Sequence, residues 1–488
     1  MFNILKKTQV HSSVPLYFFN TLSNKKEEFK VRVGNKVTMY NCGPTVYDFQ
    51  HIGNMRPYIF ADILKRTLTY NGYEVKQVIN ITDVGHLVSD ADDGEDKMEK
   101  GARKHGKTAQ EVANEVTNVF TEDLKKLNVQ TNEIIFPKAT QHIEEQIVFI
   151  KTLEEKGYTY TTSDGVYFNT ALFKTYGKLG NIDLEGLKEG ARVEENKEKK
   201  NPTDFALWKL SRRDEKRQQE WKSPWGVGYP GWHIECSAMS MKHLGKQIDI
   251  HTGGIDHIPI HHNNEIAQSE VATGKQFVNY WLHSAFITID GRKIAKSIGN
   301  TVYLRNIIDK GYSPLVYRYW LLTGHYHTQM NFTWDALEGA QKALFKMHRT
   351  LTEELGSKNG TISKTYQVKF HTLINDNLDT PRAIALLWDM LKDTKISNED
   401  TRATILHFDT VLGLGLAKSD KQMLNLLAGK ERKLSIGEIP SDVKELLTQR
   451  EEARKNKKWE EADSLRDKIH NTGFEIDDTD KGAVLRKI

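Results

Sequence analysis

One succession near the start of the chain restricts the fold most. Residues 37–41 (Val-Thr-Met-Tyr-Asn) read as a strand, and residues 42–47 as a loop. From Asn54 to Tyr70 the apolar residues Ile59, Ile63, Leu64 and Leu68 recur at helical spacing, and Asn71-Gly72 ends the run. Residues 74–81 then read as a second strand. Two strands joined by one helix form a β–α–β unit, which predicts a Rossmann-like, doubly wound parallel sheet in an α/β fold. A second α/β stretch returns at Gly245 to Ile289. Between the two, from about Ser89 to Lys222, regularity weakens. This stretch holds charged helical patterns near 108–156, a hairpin signal at Asp164-Gly165 and a polar run at Glu194 to Asn201, and it reads as an insertion. Trp334 to Leu427 is amphipathic and helical, and the end holds charged helices and a short glycine-containing segment. The expected units are 1–86 and 223–333 as two halves of one domain, 87–222 as the insertion, 334–437 as a helical bundle and 438–488 as a small terminal domain.

Composition narrows the setting. No run approaches the roughly 20 apolar residues of a membrane span, and Met1 to Val10 lacks the apolar centre of a secretory signal. A cytoplasmic protein with no membrane partner is expected. A net charge of +4 neither predicts nor excludes nucleic acid, because distribution matters more than the sum. The stretch 450–458 is locally basic, with Arg450, Arg454, Lys455, Lys457 and Lys458. The two cysteines, Cys42 and Cys236, are not expected to pair in that compartment.

Three constellations carry chemistry. His51-Ile52-Gly53-Asn54 sits where the first strand hands over to its helix. Ligands bind at that end of such sheets, and a helix N-terminus offers unpaired N–H groups to phosphate. Gly291-Arg292-Lys293-Ile294-Ala295-Lys296-Ser297 follows a strand ending near Asp290. Its two lysines, three apart, can stabilise charge developing on a triphosphate. Cys42, Cys236, His261 and Glu265 supply two thiolates, an imidazole and a carboxylate, a donor set suited to zinc. A helix over 261–270 would put His261 and Glu265 on one face. Spacing alone leaves His262, His257 and His233 as competitors.

Together these segments resemble the cysteinyl-tRNA synthetases, a class I family. His51-Ile52-Gly53-Asn54 resembles its HIGH-type motif, and Lys293-Ile294-Ala295-Lys296-Ser297 its KMSKS loop, with Ile294 and Ala295 in place of Met and Ser. Asn41 to Tyr47, Gly231 to Met239, His261 to Ser269 and Asn201 to Lys209 are also similar to family segments. Asn263 replaces a commoner Glu, and Val84-Gly85-His86-Leu87 replaces an Asp-rich stretch, leaving the role of His86 open.

The resemblance implies a ligase that activates cysteine with ATP and Mg²⁺ to cysteinyl-adenylate and esterifies it to the 3′-terminal ribose of tRNA(Cys); a monomer is expected. It implies Cys42, Cys236, His261 and Glu265 as ligands of one Zn²⁺, selecting His261 over its neighbours. It implies catalytic roles for His51, Asn54, Lys293 and Lys296, ATP contacts from Gly53, Gly254, Asp256 and Lys296, and an amino-acid pocket of Gly43, Thr82 and Trp232. It implies an anticodon-binding terminal domain reading tRNA with Arg454, Trp459, Asp463 and Asp478. A soft thiolate on zinc would distinguish cysteine from serine. Relatives that join cysteine to an amino sugar lack such a terminal domain, which 438–488 supplies. A tRNA-holding protein without activity would not need the intact lysines and donor set, and a small-molecule adenylyltransferase would need neither the metal set nor the helical half.

Overall fold

The computed structural model describes residues 14–85, 96–182, 198–212, 217–295, 298–358, 360–428, 439–479 and 482–487. His86, Lys296, Ser297 and residues 194–197 of the polar run lie outside the described residues. The central sheet has five parallel strands: β1 (Lys36–Asn41), β2 (Glu74–Ile79), β3 (Ile134–Ile135), β4 (Ile248–Gly254) and β5 (Val278–Ser284). Their order is β5-β4-β1-β2-β3. Succession runs outward in opposite directions from the β1–β4 pair, so the crevice between the carboxyl ends of those two strands is the topological switch point.

The crossover from β1 to β2 is α1 (Ile52–Tyr70), capped by His51 and Asn54, which bond reciprocally. Asn71 closes it, bonding back to Thr67 and Leu68, and Gly72 turns the chain at a φ of 88°. Alternation along the strands sorts side chains to two faces. Val37 and Met39 join Phe60, Leu64 and Leu68 of α1 in one core. Tyr40 and Cys42 point into the other, with Ile234 and Met239 of α2 (Trp232–Leu244) and Ile266 and Ala267 of α3 (Asn263–Thr273). The second strand stops at Ile79 rather than residue 81, because Asn80 turns its side chain to receive the Gly43 N–H at 2.7 Å.

The insertion contains an antiparallel sheet of Thr159–Thr162, Gly165–Phe168, Phe205–Leu210, Trp221–Ser223 and Gly226–Pro230, and Ser163-Asp164, one residue before the expected Asp164-Gly165, turns its first hairpin. This sheet runs to Pro230, beyond residue 222, so α2 leaves directly from its last strand. A hairpin of Tyr17–Asn20 and Lys25–Glu28 lies beside β5. Asn20 accepts from Trp281 N–H and donates to Asn279 O, and Thr21 N–H donates to Trp281 O, so the edge groups of β5 are occupied there.

A small sheet of Ile287–Ile289, Arg292–Lys293 and Met330–Phe332 carries the lysine loop. Its turn is Asp290-Gly291, with φ of 48° and 74°, the left-handed pair that a two-residue hairpin needs. The helices Trp334–Arg349, Lys364–Asn375, Thr380–Met390, Asn398–Leu412 and Lys421–Ala428 follow. Their apolar faces form one continuous core with Val46, Ile59, Ile63 and Ile79 of the first α/β half. A buried ion cluster fastens that junction. Asp62 of α1 accepts from Arg66 at 2.7 Å and from Arg318 at 2.6 Å, and Arg318 also donates to Leu412 O and Leu127 O.

The end of the chain forms its own small unit of helices Ser441–Lys455 and Trp459–Asn471 and an antiparallel hairpin, Phe474–Thr479 with Gly482–Lys487. Its core is Ile439, Val443, Ile469, Phe474, Ile476 and Leu485.

Candidate active site

At the switch point lies a cleft of about 600 Å³, in the range of small-molecule sites. Its walls bring together Cys42 and Gly43 after β1, His51, Gly53 and Asn54 at the start of α1, Trp232 of α2, Gly253 and Gly254 at the end of β4 with Asp256 just beyond it, and Lys293 of the small sheet. Segments far apart in sequence converge because β1 and β4 are hydrogen-bonded neighbours, with Thr252 level with Asn41.

The donor atoms of Cys42, Cys236, His261 and Glu265 all lie within 4.8 Å of one another, and all four residues are buried. They can hold a metal ion. A tetrahedral ion with bonds of about 2.0–2.3 Å separates its donors by roughly 3.3–3.8 Å. Glu265 Oε1 is 3.1 Å from His261 Nε2 and 3.8 Å from Cys42 Sγ. The expected helix over 261–270 is modified: Ile258–His262, with Pro259 near its start, forms a π-turn before α3 begins at Asn263. His261 and His262 are both buried, and His261 keeps its place one turn before Glu265.

Histidines surround the four donors. His233 Nδ1 is 2.9 Å from His261 Nδ1, and His251 Nε2 is 3.0 Å from Glu265 Oε2. His262 Nε2 is 3.2 Å from Cys42 Sγ, and its other nitrogen is 2.7 Å from His283, which meets Thr21 Oγ1 at 2.7 Å. Such outer partners orient metal ligands. The electrostatics follow from crowding. Burial opposes charge on Glu265, but His251 and His261 hold its carboxyl down at about 2. Burial likewise opposes charge on His261, yet Cys236 and Glu265 push it up to about 10. The hydrogen bond with Cys42 holds the Cys236 thiol down at about 7 against burial, and burial pushes Cys42 up.

His51 and Asn54 form a capping box: His51 Nδ1 accepts from Asn54 N–H and Asn54 Oδ1 from His51 N–H, each at 3.2 Å. A side chain at Gly53 would stand 2.8 Å from Ile294 Cδ1, so the first turn of α1 and the lysine loop are in close contact. Asn300 ties that loop, accepting from Ala295 N–H at 2.9 Å and donating to Lys293 O at 3.0 Å. A Cβ at Gly43 would fall 1.5 Å from Asn80 O, so the loop after β1 passes directly over the end of β2. Trp232 is half-buried on the cleft wall, its ring 4.7 Å from that of His261. Thr82, expected in the pocket, is not among the residues lining this cleft; it is buried and donates to Glu235 Oε2 at 3.0 Å. Burial pushes Glu235 well above the carboxylate range.

In the terminal unit the four expected tRNA contacts fall into two environments. Trp459 is 57% exposed, and Asp463 is exposed. Asp478 is instead engaged by Arg454 at 2.6 Å and by both nitrogens of the buried Arg450 at 3.0 and 2.8 Å.

The sequence reading missed His251, His283, Thr21, Asn300 and Glu235. Only Glu235 had a local signal, standing beside Cys236.

Comparison with known proteins gives the lineage. The family model for class I (C) tRNA synthetase catalytic domains matches residues 28–342, and the model for the cysteinyl-tRNA ligase anticodon-binding domain matches 437–486. Cysteine–tRNA ligase 1 of Burkholderia lata is 45% identical, covering 97% of each chain. The Treponema denticola cysteine–tRNA ligase is 44% identical over 97% of this chain and all of that protein. A solved Mycobacterium tuberculosis methionyl-tRNA synthetase in complex with methionyl-adenylate matches with a TM-score of 0.53 at 12% identity, over 81% of this chain and 91% of that one, which bears on fold alone. With both family models matched in order and relatives similar along almost their whole length, the chain belongs to the cysteinyl-tRNA synthetases, class I cysteine–tRNA ligases.

Proposed function

We propose that both half-reactions of cysteine–tRNA ligation run in the cleft at the β1–β4 switch point: formation of cysteinyl-adenylate from cysteine and MgATP, then transfer to the terminal ribose of tRNA(Cys). The observation that carries this reading is the juxtaposition in one cleft of Cys42, the α1 N-terminus with His51 and Asn54, and Lys293. A carboxylate held near Cys42 would face an α-phosphorus lying between α1 and the lysine loop. The work left to the protein is positioning and charge stabilisation. The N–H groups and partial positive charge of α1 suit phosphate oxygens, and Lys293 with Lys296 suits the departing pyrophosphate. Asp256, on the cleft wall after Gly254, suits the ribose hydroxyls.

The buried Cys42, Cys236, His261 and Glu265 set fits Zn²⁺ by donor chemistry and spacing. A zinc ion there would supply a soft Lewis-acid site that a thiolate satisfies and a hydroxyl does not. His233, His251 and His262 would hold the ligands in orientation, and Trp232 would close the side of the amino-acid pocket. Discrimination from a missing strong polar contact reaches about 10⁴–10⁵, enough to dispense with editing. The exposed Trp459 supports base stacking by the terminal unit.

The test is ATP–pyrophosphate exchange with each of the twenty amino acids, with and without tRNA. Cysteine alone should support exchange, and absence of cysteine-dependent exchange overturns the reading.

A further inference from the structure

Arg56 lies one turn past the cap of α1 and is 3% exposed. Among the described residues no carboxylate pairs with it; backbone carbonyls compensate its charge. Nη1 donates to Ala285 O at 2.9 Å and Phe286 O at 2.7 Å, and Nη2 donates to His325 O at 3.0 Å and Thr328 O at 2.6 Å. Burying a guanidinium on neutral acceptors is costly, so the position calls for an account. The four carbonyls supply one. Residues 285–286 lead from β5 into strand Ile287–Ile289, and residues 325–328 lead into strand Met330–Phe332. These strands pair in parallel, and Ile287–Ile289 also pairs with Arg292–Lys293. One side chain of α1 therefore grips both roots of the sheet that carries the lysine loop. Two further ties join the start of α1 to the chain on either side of Lys296: Ile52 N–H donates to Val302 O at 2.9 Å, and Ile294 abuts Gly53.

We propose that Arg56 is a positioning residue for adenylate formation, fixing the Lys293-bearing sheet at its working distance from the phosphate-binding start of α1. This rests on the reading of the cleft given above. The geometry asks for arginine specifically. A guanidinium presents five donors in a planar fork, and four bonds to two separate chain segments use that fork; an ammonium has three donors around a point. Lysine would keep the charge and lose the grip on one segment. Arg56 bonds none of the four metal-donor candidates: Cys42 follows β1, Cys236 lies in α2, His261 in the π-turn and Glu265 in α3.

The experiment compares wild type, Arg56→Lys and Arg56→Ala, each purified and checked for folding by its thermal transition and zinc content. Cysteine-dependent pyrophosphate exchange is measured against ATP and against cysteine. With zinc content and the KM for cysteine near wild type, Arg56→Lys is expected to lower kcat/KM for ATP by about 10-fold or more, and millimolar guanidinium is expected to restore part of the loss in Arg56→Ala. A folded Arg56→Lys enzyme with unchanged kcat/KM for ATP overturns the proposal. So does a loss shared equally by the KM for cysteine and the zinc content, which would make Arg56 a general support. Should Arg56→Ala not fold, Arg56→Lys decides alone. If wild type shows no cysteine-dependent exchange, the reading of the cleft fails before Arg56 is tested.

Discussion

His262 Nε2 stands 3.2 Å from Cys42 Sγ, which places His262 in a second donor set, Cys42, His251, His262 and Glu265, overlapping the first at two residues. One ion can use either set but not both. The first set has both thiols, and thiolates are the donors zinc favours most strongly here. His261→Ala is therefore expected to remove stoichiometric zinc. His262→Asn should keep it with affinity lowered about 10- to 100-fold, the usual cost of an outer partner. Metal analysis and a competitive chelator titration separate the two cases. If His262→Asn loses the ion and His261→Ala keeps it, the assignment reverses.

Lys293 lines the cleft from the small sheet, and Lys296 follows in the same loop. Replacing either by Ala should remove a contact made chiefly in the transition state. Such contacts are worth about 2–4 kcal/mol, or roughly 30- to 1,000-fold in rate. Pre-steady-state adenylate formation should slow by that much while cysteine binding, followed calorimetrically, holds. Wild-type rates in both variants would take the loop out of the chemistry.

Asp62 gives a pH prediction. Burial opposes its charge, but Arg318 and Arg66 hold its carboxyl below the usual range. A depressed folded-state value means that the stabilisation is present above the unfolded pKa of about 3.9 and is lost as pH falls through the lower, folded value. Asp62→Asn should destabilise the enzyme by about 3–5 kcal/mol near neutrality, since it strands two buried guanidinium groups. The gap from wild type in urea melts should narrow only in acid, below about pH 4. A gap independent of pH down to that point and beyond would contradict the ion-cluster account.

The two arginines on Asp478 should behave differently from Trp459. The hydrogen bond from Arg450 holds Asp478 below the carboxylate range, and Arg450 itself is buried. Arg450→Ala is expected to loosen the terminal unit by about 1.5–3 kcal/mol, the worth of hydrogen bonds to a charged group. Trp459→Ala should leave its melting unchanged while raising the KM for tRNA, losing about 1–3 kcal/mol of stacking. Deleting everything after Ile436 should spare pyrophosphate exchange, impair charging and flatten the salt dependence of tRNA binding. Charging that survives both changes would place anticodon reading elsewhere.

Legibility in the sequence followed contiguity. The β1–α1–β2 unit was readable because the period changes within a few dozen residues, and His51 to Asn54 because cap, glycine and helix start are adjacent. The hairpin around Asp164-Gly165 declared itself by its turn signal, although the turn itself is Ser163-Asp164 and Gly165 already belongs to the strand. His251 and His283 are single residues inside buried strands, and nothing local marks them; they matter through the packing of β4 and β5 against the π-turn and α3. Thr21 belongs to a hairpin that acquires its place only against β5. Arg56 looks like one more helix charge until its four carbonyls are seen. Asp478 and Arg454 read as two exposed contacts, yet they satisfy each other.

The apolar core that runs unbroken from Val46 to Leu427, set against the self-contained core of the terminal unit, divides the molecule by cooperativity. Whatever opens the helical bundle must also open the floor of the catalytic half, because the same side chains serve both. The terminal unit can open alone. Native-state hydrogen exchange should therefore resolve two classes of amide, with Ser441–Lys455 and Trp459–Asn471 released by a shallow, local opening and Trp334–Arg349 released only together with α1. The enzyme could then lose and regain its RNA-reading end many times within the lifetime of one intact adenylate-forming body.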